Sequence, residues 1–96
     1  MLMRVRVTYL GVVRYKTGRG EEDYDLADGS SLKDLLLKMA EKHPSLRDII
    51  SGLGESPADP TLIVALNGSS IKIAESDNIM LKDGDSVILM TVIGGG

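Results

Sequence analysis

The sequence contains no cysteine, no phenylalanine and no tryptophan, and only one histidine. Without cysteine there can be no disulfide, no thiolate metal site and no cysteine nucleophile. A small domain that does without disulfides suits a reducing compartment, and the cytoplasm is the expected location. With Tyr9, Tyr15 and Tyr24 as the only aromatic residues, the core must be aliphatic. Positive charge is also scarce: 11 Lys and Arg stand against 14 Asp and Glu, for a net charge of −3. The cations look scattered, with Arg4 and Arg6 the one local cluster, so no nucleic-acid partner is expected. No apolar run approaches the roughly 20 residues that cross a bilayer, and Met1–Leu10 alternates where a leader would be charged and then apolar. No membrane partner is expected.

What remains is a chain of 96 residues, 43% hydrophobic and 26% charged, which fits one globular domain with no second core. Met3, Val5, Val7 and Tyr9 alternate with Arg4, Arg6 and Thr8, the period-two pattern of a half-buried strand over 3–10. Gly11–Glu22 is glycine-punctuated and charged and reads as a loop, and Asp23–Leu26 as a short second strand. Ser30 or Ser31 can cap a helix, and Ser31 has Asp34 at the capping-box spacing, with Asp as a shorter substitute for Glu. Leu32, Leu35, Leu36, Met39 and Ala40 form one apolar stripe on a helix over Ser31–Lys42, which Pro44 ends. Leu46, Ile49, Ile50 and Leu53 add a further helical turn or two before a loop over 51–60. Thr61–Leu66 is an apolar strand. Asn67-Gly68 is the signature of a type I′ hairpin, with a short return over Ser70–Ile73. Lys82–Asp85 is a second tight turn, and Ser86–Val92 is the last strand. The order β-β-α-β-β-β predicts an α+β fold: one helix laid across one face of a mixed sheet of four to five strands.

Catalytic constellations are absent. His43 has no nucleophile and orienting acid around it in any motif, and reads as a solvated helix-end residue. Glu21-Glu22-Asp23 reads as a solvated acidic loop, and Lys82–Asp85 as turn chemistry. No metal and no bound cofactor are expected.

The informative feature is Gly94-Gly95-Gly96. A frayed end would tolerate glycine, but glycine averages only about 7% of residues, so three in succession are unusual. An enzyme that activates a protein α-carboxylate can admit only a thread, and glycine adds no side chain and restricts no dihedral. Gly94–Gly96 is therefore expected to be a slender flexible arm on a folded domain spanning 1–93, with the Gly96 carboxylate as the reacting group and Gly95 behind it.

Together with Leu66–Gly68, the Leu81–Asp85 turn and the capped helix SLKDLLLKMAEKHP, this ending resembles the ubiquitin-like β-grasp sulfur carriers. It is nearest to molybdopterin synthase small subunits and the archaeal small modifier proteins. The resemblance implies a non-catalytic carrier. A ubiquitin-activating-like enzyme would spend ATP to adenylate Gly96, and a sulfur donor would convert the adenylate to a thiocarboxylate. The sulfur would then pass to a molybdopterin synthase large subunit or another acceptor. Two features depart from the small-subunit pattern: Thr91-Val92-Ile93 stands where proline is common, and Gly94 adds a third glycine. Thiolation of a thiamine precursor or tRNA, isopeptide modification of proteins, and a plain β-grasp interaction module stay open as alternatives.

The strand alternation adds a candidate partner surface. If Val87 and Leu89 face the core, then Ile88, Met90 and Val92 face away from the helix. If Val64 and Leu66 face in, then Ile63 and Ala65 face out. With Ile93 and Gly94 these residues would form an apolar docking surface leading to the reacting terminus.

Overall fold

A computed structural model describes residues 2–50 and 62–91. Strand β1 (Leu2–Leu10) pairs antiparallel with β2 (Glu21–Ala27) and parallel with β5 (Ser86–Thr91). Strand β3 (Leu62–Leu66) pairs antiparallel with both β5 and β4 (Ser69–Ile71), giving the sheet order β2-β1-β5-β3-β4. The sheet is mixed, as expected for a β-grasp, with the first and last strands side by side at its centre.

Helix α2 (Leu32–Lys42) covers one face. Its capping box is complete: the Ser31 hydroxyl accepts from Asp34 N at 3.2 Å, and Asp34 Oδ2 accepts from Ser31 N at 2.9 Å. The apolar stripe turns inward, with Leu32, Leu35, Leu36 and Met39 all buried, while Leu37 is 48% exposed. They meet Met3, Val5, Val7 and Tyr9 of β1, Val87 and Leu89 of β5, and Val64 of β3, so the core is aliphatic apart from tyrosine. The start of the helix is tied down by Leu32 N donating to Ile79 O and Leu81 N donating to Ser30 O.

Three expectations are corrected. The segment read as a loop between the first two strands contains helix α1 (Val12–Thr17). Its ends are set by Gly11 and Gly18, both at positive φ, and Val13 anchors it in the core. Six residues cannot display a full helical stripe, so periodicity does not reveal them. Strand β2 begins two residues earlier than expected, at Glu21, and takes the acidic run into the sheet. The return strand ends at Ile71, and a 3₁₀ helix spans Ile73–Asn78.

The other elements lie where they are expected. Helix α2 stops at Lys42, with His43 out of helical geometry before Pro44. A 3₁₀ turn (Pro44–Leu46) and α3 (Arg47–Ile50) follow, burying Leu46, Ile49 and Ile50. Asn67 (φ 49°) and Gly68 (φ 89°) make the expected turn. The Asn67 side chain also joins this turn to the next, donating to Asp85 Oδ1 at 3.0 Å and accepting from Ser86 N at 2.9 Å. Asp83 and Asp85 are committed to backbone N–H groups, of Arg4 at 2.8 Å and Lys82 at 2.7 Å, which is the turn chemistry expected of them. The expected positions of Leu53, Thr61, Val92 and the 51–60 loop lie outside the described residues. No helix among the described residues is long and apolar enough to cross a membrane.

Candidate docking face and the buried carboxylate beneath the end of α2

The face of the sheet away from α2 carries the alternate residues of each strand. On β5, Val87 and Leu89 are fully buried beneath the helix, and Ile88 and Met90 stand half-buried on the other side. On β3, Val64 is buried, with Leu62 and Leu66 packed against the core, which turns Ile63 and Ala65 outward. The register brings the outward residues together: Ile63 opposite Met90 and Ala65 opposite Ile88. On the other flank Thr8 pairs with Ile88 and Leu10 with Met90. The result is a continuous apolar strip across three strands, bordered toward β2 by the exposed pairs Arg4–Asp25 (3.0 Å) and Arg6–Asp23 (3.1 Å).

Four of the expected partner-facing residues, Ile63, Ala65, Ile88 and Met90, are thus brought together. Val92, Ile93, Gly94, Gly95 and Gly96 lie outside the described residues. Leu10 joins the strip and was missed, although it simply continues the alternation of β1 past Thr8.

The second polar feature corrects two readings. Glu22 is not in a solvated loop but in β2, pointing inward with 3% side-chain exposure, and His43 is not a solvated helix end but sits over it with 14%. His43 Nε2 lies 2.6 Å from Glu22 Oε1, and the Tyr9 and Tyr24 hydroxyls reach the same oxygen at 2.7 and 3.0 Å. Lys42 Nζ is 2.9 Å from Oε2, with Arg19 Nε at 3.5 Å. The edge of Tyr9 also meets the His43 ring at 5.9 Å. The available signal was the two-residue spacing of Glu22, Tyr24 and Leu26, which puts all three on one face.

Burial alone would raise the Glu22 carboxyl, but hydrogen bonds from Lys42, Tyr9, His43 and Tyr24 outweigh it and hold the group at about 2. Burial pushes the Tyr24 phenol up to about 12, and Tyr9 is pushed up further by burial and by its bonds to Tyr24 and Glu22. An anchored carboxylate among protonated phenols neither donates nor accepts protons near neutrality. The cluster clamps β1, β2 and the end of α2 together. No group of three or more His, Cys, Asp or Glu able to hold a metal occurs among the described residues.

Residues 7–96 match the model of the ThiS family. The chain belongs to the ThiS family. The molybdopterin synthase sulfur carrier subunit of Chlamydomonas reinhardtii is 30% identical over 94 residues, which cover 98% of this chain and all of that protein. The small archaeal modifier protein 1 of Methanosarcina acetivorans is 25% identical, with a TM-score of 0.77 over 100% of this chain and 99% of that one. A similar fold also occurs in the protein–protein complex of subunits 1 and 2 of the molybdopterin-converting factor from Helicobacter pylori, at 26% identity and a TM-score of 0.57 over 98% and 100% of the two chains. The mixed five-stranded sheet under one main helix is thus the ubiquitin-like β-grasp of this family.

Proposed function

We propose that this protein is a sulfur carrier for molybdopterin synthesis, and that its reacting group is the Gly96 carboxylate. The observation that carries the reading is the apolar strip on the uncovered sheet face. It runs along β5, the strand that continues in sequence into Val92, Ile93 and the three glycines. A half-buried Met beside Ile suits a surface that repacks against more than one partner, and a carrier must meet both an activator and an acceptor. The full-length likeness to a sulfur carrier subunit supports the pathway.

In this reading the protein is a substrate of partner enzymes and brings no catalytic side chain. An adenylating enzyme of the ubiquitin-activating type joins the Gly96 carboxylate to the α-phosphate of ATP and releases pyrophosphate. Hydrosulfide delivered by a sulfur donor then attacks the acyl carbon, expels AMP and leaves a C-terminal thiocarboxylate. The strip next docks on the large subunit of the synthase, whose active site receives the tail. The likeness to the complex of subunits 1 and 2 of a molybdopterin-converting factor supports such a partner. The likeness to a small archaeal modifier protein favours a second reading, in which the activated Gly96 forms isopeptides with lysines.

The test is reconstitution with the adenylating enzyme of the same genome. The protein should drive ATP–pyrophosphate exchange, and the variant lacking Gly96 should not. Equal exchange with both would overturn the role given to Gly96.

A further inference from the structure

One end of this acidic chain carries a local excess of positive charge. Residues 11–20 hold Arg14, Lys16 and Arg19 and no acidic residue, a local excess hidden in a net charge of −3. The fold adds to it. The 3₁₀ turn after α2 packs on α1, with the Ser45 hydroxyl donating to Lys16 O at 2.9 Å, and so brings Lys42 and Arg47 to the same end. Glu22 faces this group, but it is buried and already shared by His43, Lys42 and Arg19. Glu21 and Glu41 are exposed at its border. Arg14, Lys16 and Arg47 are exposed, and none of them makes an ion pair with a described carboxylate. Arg4 and Arg6, the local cluster expected from the sequence, are by contrast each matched by an aspartate.

At the opposite end of the sheet the carboxylates of Asp83, Asp85 and Asp25 are interleaved with Arg4, Lys38 and Lys82. The basic end is the one where β5 finishes, because β5 runs parallel to β1 and α1 follows β1. A Cβ built on Gly11, at the start of α1, would lie 3.6 Å from the carbonyl oxygen of Thr91, the last described residue of β5. Helix α1 also presents Tyr15, 88% exposed, between Arg14 and Lys16. Tyrosine and arginine are the side chains that most often carry binding energy at protein interfaces, so this one is poorly explained as a merely solvated turn.

We propose that the α1 end is a second docking surface, distinct from the apolar strip, which captures an acidic rim around the tail-binding channel of the adenylating enzyme. Arg14 and Lys16 steer the approach, so that the end bearing the glycine arm arrives first, and Tyr15 anchors the encounter. The inference rests on the reading that an adenylating enzyme takes the tail. Charge of this kind acts mainly on association, and it fades as ionic strength shortens the Debye length below about 10 Å.

The test is stopped-flow association of the full chain with the adenylating enzyme of the same genome, at low and high ionic strength. The variant Arg14→Glu/Lys16→Glu is compared with Lys72→Glu/Lys82→Glu, which makes the same charge change away from α1. The first should associate about tenfold more slowly than wild type at low salt and converge on it at high salt, with the rate of adenylation at saturation unchanged. The second should match wild type within twofold. Tyr15→Ala should raise the dissociation rate while leaving association intact. Circular dichroism should show every variant folded, because all of the altered side chains are exposed. Equal slowing of the two double variants would reduce the effect to net charge and overturn the proposal, as would wild-type association of the first. A single-stranded oligonucleotide that binds wild type and not Arg14→Glu/Lys16→Glu, with enzyme association unchanged, would reassign the surface to nucleic acid. Failure of wild type to support pyrophosphate exchange at all would instead remove the carrier reading, and this inference with it.

Discussion

Glu22 on β2 and His43 at the end of α2 meet at 2.6 Å, although they are far apart in sequence and one element is strand and the other helix. The contact lies under the end of α2 and above Tyr9 and Tyr24, so it locks helix to sheet through a carboxylate that has almost no access to water. Breaking one partner of such a buried cluster leaves the others unpaired. Glu22→Ala should therefore destabilise the fold by about 3–5 kcal/mol in urea melts, well above the cost of truncating the exposed neighbour Glu21.

The same carboxylate sets an acid limit. Its folded value, about 2, lies below the ordinary 4.5, so folding favours the ionised form. That stability is fully present above the unfolded value and is lost as pH falls from about 4.5 toward 2, on the order of 3 kcal/mol in all. Thermal melts across this range should fall steeply for wild type and more gently for Glu22→Gln. Parallel curves would place the acid sensitivity elsewhere.

Leu36 and Leu37 are adjacent on α2, one fully buried and the other 48% exposed. Leu36→Ala should cost about 2–5 kcal/mol and Leu37→Ala a small fraction of that. Equal losses in chemical denaturation would mean that the helix phase is wrong.

Met90 tests the open face. It stands opposite Ile63 on β3 and Leu10 on β1, outside the core. Met90→Glu should remain folded, because the new carboxylate can reach water, and should bind both the adenylating enzyme and the acceptor subunit at least tenfold more weakly. An unfolded variant would make Met90 a core residue, since an unpaired charge is costly to bury. A folded variant with wild-type affinity for both proteins would remove the strip from the docking surface.

Much of this architecture is legible in the sequence, because its elements announce themselves through local physics. The alternation of β1, the stripe and cap of α2, the Asn67-Gly68 turn and the inward phase of Val87 and Leu89 all follow from period and turn chemistry. What escaped depends on contacts between distant segments. Helix α1 is too short to show a stripe and is set by flanking glycines and one buried valine, Val13. Glu22 looked solvated because acidic residues usually are, and only the fold brings Tyr9, Lys42 and His43 to it. The basic end was only partly visible, as Arg14, Lys16 and Arg19 within ten residues, and the fold adds Lys42 and Arg47 from the end of α2 and from α3.

The tail carries the chemistry proposed here, and its narrowness is the property to challenge. Gly95→Val should leave the melting curve unchanged, since β-branching restricts the backbone only at that position, and should slow adenylation through steric blockage. A valine variant activated at the wild-type rate would show that the tail does not pass through a narrow channel.

The most direct measurement is the intact mass of the protein after incubation with its adenylating enzyme, ATP and a sulfur donor, followed by fragmentation of the C-terminus. The carrier account predicts one oxygen replaced by sulfur, located on Gly96, and its loss when the large subunit of the synthase and its pterin substrate are added. A terminus that stays a carboxylate under conditions where the enzyme consumes ATP, or that appears only as an amide on lysine, would contradict it.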